Sequence, residues 1–384
     1  MKLTYRISVV VPTFKRPDFL HRCLSALTMQ DLDPSNYEII VVDDAACEST
    51  RLQVDQWIAR IQSRKSCACS IPTIRYLPVT GSHGPAAARN LGWHAARGDI
   101  IAFTDDDCIP TPGWLSGGLA AFSDGIVGAS GKLVMPLDHI PTDYERNAVQ
   151  LERSEFVTAN CFYRRAMLER VGGFDERFTA AWREDSDLFF TLQEYVVRYE
   201  NEDTSCASAP SRRSQALATR VLSAPSPLTR ESYSREPARH TSKCDPLCAL
   251  VYVPRAVVIH PVRPASWGIS LKQQRKSMFN ALLYKKHPDL YRQKVQAAPP
   301  WHYYCILVAL LVALASIVAG FWLFALGAFT AWMFMTGRFC LQRLRHTSHA
   351  PSHVMEMIVT SILIPPLSIF WRIVGAIRFR VFFL

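Results

Sequence analysis

The sequence predicts an α/β fold, a doubly wound and mostly parallel sheet, followed by C-terminal transmembrane helices. Three observations carry this expectation. Short β-branched apolar runs alternate with helix-periodic segments between residues 7 and 104, the pattern of right-handed βαβ units. Pro12-Thr13, Asp43-Asp44 and Asp105-Asp106-Asp107 close three of those runs, at the strand ends outside which open α/β sheets bind ligands. Residues 303–337 contain no charged side chain.

The elements follow in order. Residues 7–13 are a β-rich run ending in a turn, a buried strand. Residues 18–30 place Phe19, Leu20, Cys23, Leu24 and Leu27 on one helical stripe. Residues 37–42 form a second strand, 52–61 a helix and 73–77 a third strand. An alanine-rich helix over 85–97 feeds a fourth strand that ends in the aspartate triplet. Beyond it come a turn at 110–114, a β-like run at 125–134, a short apolar run at 156–162, and a helix over 164–171 stopped by Gly172-Gly173. Residues 187–195 read as an amphipathic helix, and 250–254 and 256–260 as two late strands.

Residues 201–247 break this pattern. They hold nine serines, five prolines and a single aromatic, Tyr233, too little apolar surface to offset the entropy of ordering them. The expectation is a disordered insertion, a regulatory arm or an error in the gene model.

The chain has 384 residues and a formal net charge of +10. Nucleic acid or an anionic membrane could each account for that charge. Basic residues crowd around the apolar C-terminal third, and no RNA-binding signature, zinc-finger spacing or recognition helix is present, so membrane lipids are expected as partners and nucleic acid is not. The eleven scattered cysteines lack paired zinc spacing and read as reduced thiols. Residues 1–6 are polar and lead straight into a strand, so no signal peptide is expected there.

As one helix, 303–337 would run about 50 Å, against a hydrocarbon core of about 30 Å. Both flanks are basic, which favours two crossings in a hairpin with a break at Gly320. Residues 354–371 are apolar but contain Glu356 and Pro365-Pro366, and read as re-entrant or interfacial, or as a third crossing. Residues 270–291 are basic and amphipathic, suited to a membrane surface.

Three carboxylates at the tip of a buried strand repel one another unless a cation sits among them; otherwise they form an acidic turn. Asp-x-Asp at that place suits a hard divalent ion gripping a diphosphate. Val9-Val10-Val11-Pro12-Thr13, Val41-Val42-Asp43-Asp44, Gly84-Pro85-Ala86-Ala87-Ala88-Arg89-Asn90-Leu91-Gly92, Phe103-Thr104-Asp105-Asp106-Asp107 and Glu184-Asp185 occur in that order. As an ordered set over about 5–195, resuming near 250–264, they resemble a family-2 glycosyltransferase of the GT-A fold, membrane-anchored and of bacterial type. No glycine-rich phosphate loop follows the first strand, against a dinucleotide enzyme.

The resemblance implies roles. Pro12 and Thr13 would shape the rim for the nucleotide base. Asp43 would accept from a pyrimidine N–H with Asp44 as neighbour or substitute, unless the pair caps a helix. Arg89 would face the diphosphate or a metal-site carboxylate, or else solvent. Asp105 and Asp107 would serve a Mg²⁺ or Mn²⁺ ion, with His260 completing the metal site, and Asp106 would contact the ribose or face solvent. Asp185, with Glu184 second, would be the base that deprotonates the acceptor hydroxyl in an inverting transfer, unless the two are a helix N-terminal pair favoured by the dipole. Trp182 would stack on a sugar or simply pack, and Asp187 would be structural. A processive Gln-x-x-Arg-Trp motif is not met, since Lys272 and Lys276 stand around Arg275 in its place.

The expected organisation is a GT-A domain over 1–264, a juxtamembrane segment over 265–300, a transmembrane hairpin over 301–337, a basic cytoplasmic loop over 338–353, and a re-entrant, interfacial or third membrane segment over 354–384. The expected activity is metal-dependent transfer from a nucleotide-diphosphate sugar to a lipid-linked or surface-glycan acceptor. It would take place at the inner (cytoplasmic) membrane with the catalytic domain in the cytoplasm. The alternative is an inactive relative that binds nucleotide or scaffolds a glycan-assembly complex.

Overall fold

The computed structural model describes residues 5–64, 71–205 and 249–383. They divide into two compact units, one drawn from residues 1–134, 152–179 and 188–260, the other from 135–151, 180–187 and 261–384.

The first unit is built on a sheet. Strands β1 (Ile7–Thr13), β2 (Tyr37–Asp43), β3 (Thr73–Pro78) and β4 (Ile100–Phe103) are mutually parallel, joined through α1 (Pro17–Leu27), α2 (Glu48–Arg64) and α3 (Pro85–Ala95). Val9, Val10, Val11 and Ile39 to Val42 are fully buried, as a sheet covered on both faces requires. Register places Thr13 beside Asp43 and Val10 beside Phe103, so the ends of β1, β2 and β4 share one edge. Gly92 lets α3 lie close on β1, because a Cβ there would come within 2.3 Å of Val10 Cγ1. Helix α1 stops short of the expected residue 30. There Gln30 turns its amide to the carbonyls of Ala26 and Thr111 and fixes the chain outside the helix.

Along the chain follow β5 (Ile109–Pro110), α4 (Trp114–Ala120), β6 (Ile126–Val134), α5 (Asp143–Val149, in the second unit), β7 (Cys161–Arg164), α6 (Arg165–Val171), α7 (Glu184–Ser205) and β8 (Ala249–Ile259). The sheet runs β3-β2-β1-β4-β7-β6-β8-β5. Its first half is parallel. Strand β7 is antiparallel to β4 and β6, β8 is parallel to β6, and β5 is antiparallel to β8, so the whole is mixed.

Three details differ from expectation. The two late strands are one, β8, with a register shift: Gly131 pairs with Val253 but Lys132 pairs with Val257. Pro254 has no N–H for the ladder, so the chain bulges, and the Asn160 amide fills the gap by donating to Lys132 O and Ala256 O. The apolar run at 156–162 becomes a strand only from Cys161, while Phe156 sits at φ +52 and stacks on Phe189 at 4.6 Å. Helix α7 reaches Ser205, five residues into the expected insertion. The remainder of that insertion lies outside the described residues, as do Cys67, Cys69, Cys244 and Cys248. Among the described residues, Cys23, Cys47, Cys108, Cys305 and Cys340 are not in disulfides.

The second unit is helical. The expected amphipathic segment at 270–291 is interrupted: α8 (Ile269–Gln273), a 3₁₀ turn (Gln274–Met278), α9 (Phe279–Lys286) and α10 (Pro288–Lys294). Pro288 forces the break, since the residue before proline is driven out of the helical region and His287 sits at φ −134, ψ 65. Phe279, Ala281, Leu282 and Leu283 are buried within the protein.

Helices α11 (Trp301–Val318), α12 (Trp322–Leu344) and α13 (Pro351–Phe379) are each long and apolar enough to cross a membrane. Gly320, at φ +79, turns the chain between α11 and α12, a conformation that glycine adopts without Cβ strain. The pair is antiparallel: Tyr303 near the start of one meets Phe339 near the end of the other at 5.4 Å. Helix α13 is continuous through Pro365-Pro366. Most of the expected basic loop 338–353 is helix, because α13 begins at Pro351 and α12 runs on to Leu344. Its Arg343 is buried, pairing with Asp143 Oδ2 at 2.7 Å and donating to Thr360 and Ser361 at 2.6 and 3.2 Å.

Candidate functional site

The aspartate triplet follows β4 directly, and its three side chains go three ways. Asp105, with 27% of its side chain exposed, accepts a hydrogen bond from Arg89 at 2.8 Å. Arg89 is 3% exposed on α3, so it is no solvated helix residue, and its guanidinium also lies 5.8 Å from the Phe174 ring. Asp106 does not face solvent. It is 2% exposed and accepts from Thr13 Oγ1 at 2.8 Å and from Arg16 at 3.0 Å. Burial dominates its ionisation, holding the carboxyl up at about 6 against the opposing pull of Arg16.

Asp107 is buried and meets His260, whose Nε2 is 3.7 Å from Asp107 Oδ1; Arg16 lies 3.9 Å from Oδ2. The sheet explains this meeting of residues distant in sequence. Strand β5, just after the triplet, pairs Ile109 with Ile259, and His260 is the next residue, held by its N–H to Val134 O at 2.8 Å. Asp107, Cys108 and His260 offer ligand atoms within 4.8 Å of one another. A carboxylate and an imidazole suit Mn²⁺, and Mg²⁺ would lean on the carboxylate. Cys108 suits a hard ion least of the three: sulfur is a soft ligand, and this thiol is fully buried, which pushes it well above the usual range.

The end of β2 is organised differently. Asp43 is fully buried and accepts from Ala45 N, Cys47 N and the Tyr76 hydroxyl at 3.0, 2.8 and 3.0 Å. Its carboxylate therefore holds the loop that enters α2, and burial together with this bond pushes the Tyr76 phenol up. Asp44, half-buried, accepts from Gly84 N at 3.0 Å and lies 3.0 Å from His83 Nδ1. Gly84 stands at φ +114, with the Thr179 carbonyl 3.0 Å from where a Cβ would sit. Pro12 stays partly exposed at the tip of β1.

In the second unit, Glu184 is 3% exposed and its Oε2 accepts from Trp182 N at 2.7 Å. Asp185 is half-buried and accepts from Ser186 N at 2.6 Å. Asp187 is 2% exposed between Lys286 Nζ at 2.7 Å and His287 Nε2 at 3.2 Å. Arg183 stands just before them at φ +77, outside the region non-glycine residues favour, and donates to Asn280 at 2.9 Å. Trp182 is 41% exposed with the Arg183 guanidinium 4.8 Å from its ring.

The structure thus brings Thr13, Arg89, Asp105, Asp106, Asp107 and His260 to one sheet edge of the first unit. Glu184, Asp185 and Trp182 belong to the second. Sequence reasoning missed Arg16, which bridges Asp106 and Asp107. Its signal was faint: one basic residue three positions beyond β1, in a turn where Lys15 takes φ +54.

A parallel-led mixed sheet with its carboxylates gathered past the strand ends defines an α/β domain of the GT-A class. Residues 8–172 match the family described as Glycosyl transferase family 2. The chain is 26% identical to glycosyltransferase AglE of Haloferax volcanii, over 44% of this chain and 55% of the relative. It is 30% identical to a pre-mycofactocin glycosyltransferase of Mycobacterium tuberculosis, over 51% and 41%. It spans about half the length of these relatives. A solved structure described as mannosyltransferase PcManGT from Pyrobaculum calidifontis in complex with GDP-Man and Mn2+ aligns with TM-score 0.49 at 15% identity, covering 99% of this chain and 88% of that one.

Proposed function

We propose that this protein is a membrane-associated glycosyltransferase that moves a sugar from a nucleotide-diphosphate donor to a lipid-linked or surface-glycan acceptor, with inversion at the anomeric carbon. The observation that carries this reading is the pairing of Asp107 with His260 beside Asp105 and its buried Arg89. Asp107 and His260 would hold a divalent cation, Mn²⁺ or Mg²⁺, and Asp105 would orient the donor or a metal-bound water. When bound, that ion supplies Lewis-acid neutralisation of the departing diphosphate. Arg89 fixes the Asp105 carboxylate. Arg16 balances the charge of Asp106 and Asp107, while Thr13 ties β1 to Asp106. Pro12 and Asp44 would border the nucleotide, with Asp43 securing the loop behind them.

Asp185 is proposed as the base that takes the acceptor hydroxyl proton, with Glu184 holding the turn through Trp182 N. Trp182 is proposed to stack on a sugar face. Helices α11, α12 and α13 support a membrane seat; its place in the cytoplasmic membrane, with the first unit in the cytoplasm, is proposed from the basic flanks of the α11–α12 pair. The proposed organisation is a GT-A domain over 1–264 with an insertion at 201–247, a juxtamembrane segment over 265–300, a transmembrane hairpin over 301–337, a basic loop over 338–353 and a further membrane segment over 354–384.

The test is nucleoside-diphosphate release by the purified full-length protein across a panel of sugar donors, with Mn²⁺ and with EDTA. Metal-dependent release that is lost in Asp107→Ala is expected. Undiminished release in EDTA and in that variant would overturn the metal assignment. Nucleotide binding without turnover on any donor would favour the inactive, scaffolding relative.

A further inference from the structure

A second site lies in the helical unit. Segments around α10 and the end of α13 border an open pocket of about 240 Å³, lined by Tyr284, Tyr291, Arg292, Trp301, Arg372 and Phe383 together with Gln296. Among the described residues, two guanidinium groups and no side-chain carboxylate line it. Arg372 is 4% exposed. It donates to Gln296 Oε1 at 3.1 Å and lies 4.2 Å from the Phe383 ring, yet its Nε has no hydrogen-bond partner. Among the described residues no acidic side chain stands within ion-pair distance of it. A buried cation without a counter-charge is costly, and an anion in the adjoining cavity would offset that cost.

The other donors are in place. Arg292 is exposed and donates to the Tyr284 hydroxyl at 2.6 Å, leaving further N–H groups of its fork available. The Tyr291 hydroxyl donates to Gln296 at 3.2 Å. Guanidinium forks match phosphate oxygens in pairs. The position suits a lipid. Trp301 is the first residue of α11, 62% exposed, the placement of an interfacial aromatic, and Ala297, Ala298, Pro299, Phe382 and Phe383 add apolar wall on which an acyl-glycerol shoulder can lie.

We propose that this cavity binds the phosphate head group of a membrane lipid, with Arg372 as the buried anchor and Arg292 as the outer one. The proposal concerns binding alone and needs neither donor sugar nor turnover. Its failure therefore leaves the glycosyl-transfer reading standing, and the reverse also holds.

The test titrates full-length protein in an uncharged detergent with dioctanoyl phosphatidic acid, with dioctanoylglycerol and inorganic phosphate as separate arms, read by calorimetry. Saturable binding of one phosphatidic acid is expected, weakened about tenfold both by Arg292→Gln and by Arg372→Lys, which keeps the charge and loses the fork. Arg292 is at the surface, so its variant stands even if the Arg372 variant folds poorly. Equally tight dioctanoylglycerol binding would overturn the phosphate assignment. Equally tight inorganic phosphate would give the site to a soluble anion and overturn the lipid. Unchanged affinity in folded Arg292→Gln would overturn the site.

Discussion

Two acidic runs resemble one another as sequence: Asp105-Asp106-Asp107 in the first unit and Glu184-Asp185-Ser186-Asp187 in the helical unit. In the triplet, each carboxylate has a partner from another element: Arg89 on α3, Thr13 and Arg16 after β1, His260 after β8. In the later run, Glu184 accepts from Trp182 N and Asp185 from Ser186 N within their own turn, and Asp187 reaches Lys286 and His287. A sheet edge gathers charge from several strands. A helix start can satisfy acids locally through backbone N–H groups. The two runs should therefore respond differently to mutation.

The largest effect is expected where a carboxylate does chemistry. Asp185→Asn should lower transfer about 10²–10⁴-fold with donor affinity unchanged, measured as kcat and KM for the donor. Retained kcat would move the base elsewhere. Next, Arg89→Leu should cost about 10–100-fold in activity or metal affinity while the fold survives, because it frees the carboxylate of Asp105. An unchanged metal titration would reduce Arg89 to packing.

Asp187→Ala should act on stability instead. Removing one partner of a buried pair costs about 3–5 kcal/mol. A melting temperature unmoved in full-length protein would contradict the clamp with Lys286 and His287. Thr13→Val, which deletes the bond to Asp106, should destabilise by about 1.5–3 kcal/mol, read by denaturant midpoint. Smallest is Trp182→Ala: loss of the contact with Arg183 should cost about 0.5–1 kcal/mol. A much larger fall in acceptor KM-dependent rate than in stability would support the stacking role.

Legibility from sequence followed the same division. Strands β1, β2 and β4 were readable because burial on both faces makes them continuous apolar runs with turn residues at their ends. Asp105, Asp107, Arg89 and His260 were nameable because the residues sit next to such runs or in a family motif. That Asp106 points inward was not readable, since its direction depends on Thr13 and Arg16 across the sheet. Arg16 itself carries no periodicity. Strand β8 reads as two because Pro254 interrupts the pattern, and only the Asn160 amide shows how the bulge is held. The apolar α13 was hard to place because Pro365-Pro366 argues for a break. In the structure the helix runs on, with neighbouring Thr360 and Ser361 bonded to the buried Arg343.

The central claim is that the sheet edge of the first unit holds a divalent ion for a nucleoside diphosphate. The most direct measurement is the thermal stability of the full-length protein with nucleoside diphosphates, with and without Mn²⁺, in wild type and in Asp107→Ala. A ligand bound to the folded state at about 100 times its Kd adds about 2.7 kcal/mol. The account predicts a nucleotide-induced rise that needs Mn²⁺ and vanishes in Asp107→Ala. An equal rise without metal, or an undiminished one in the variant, would contradict it.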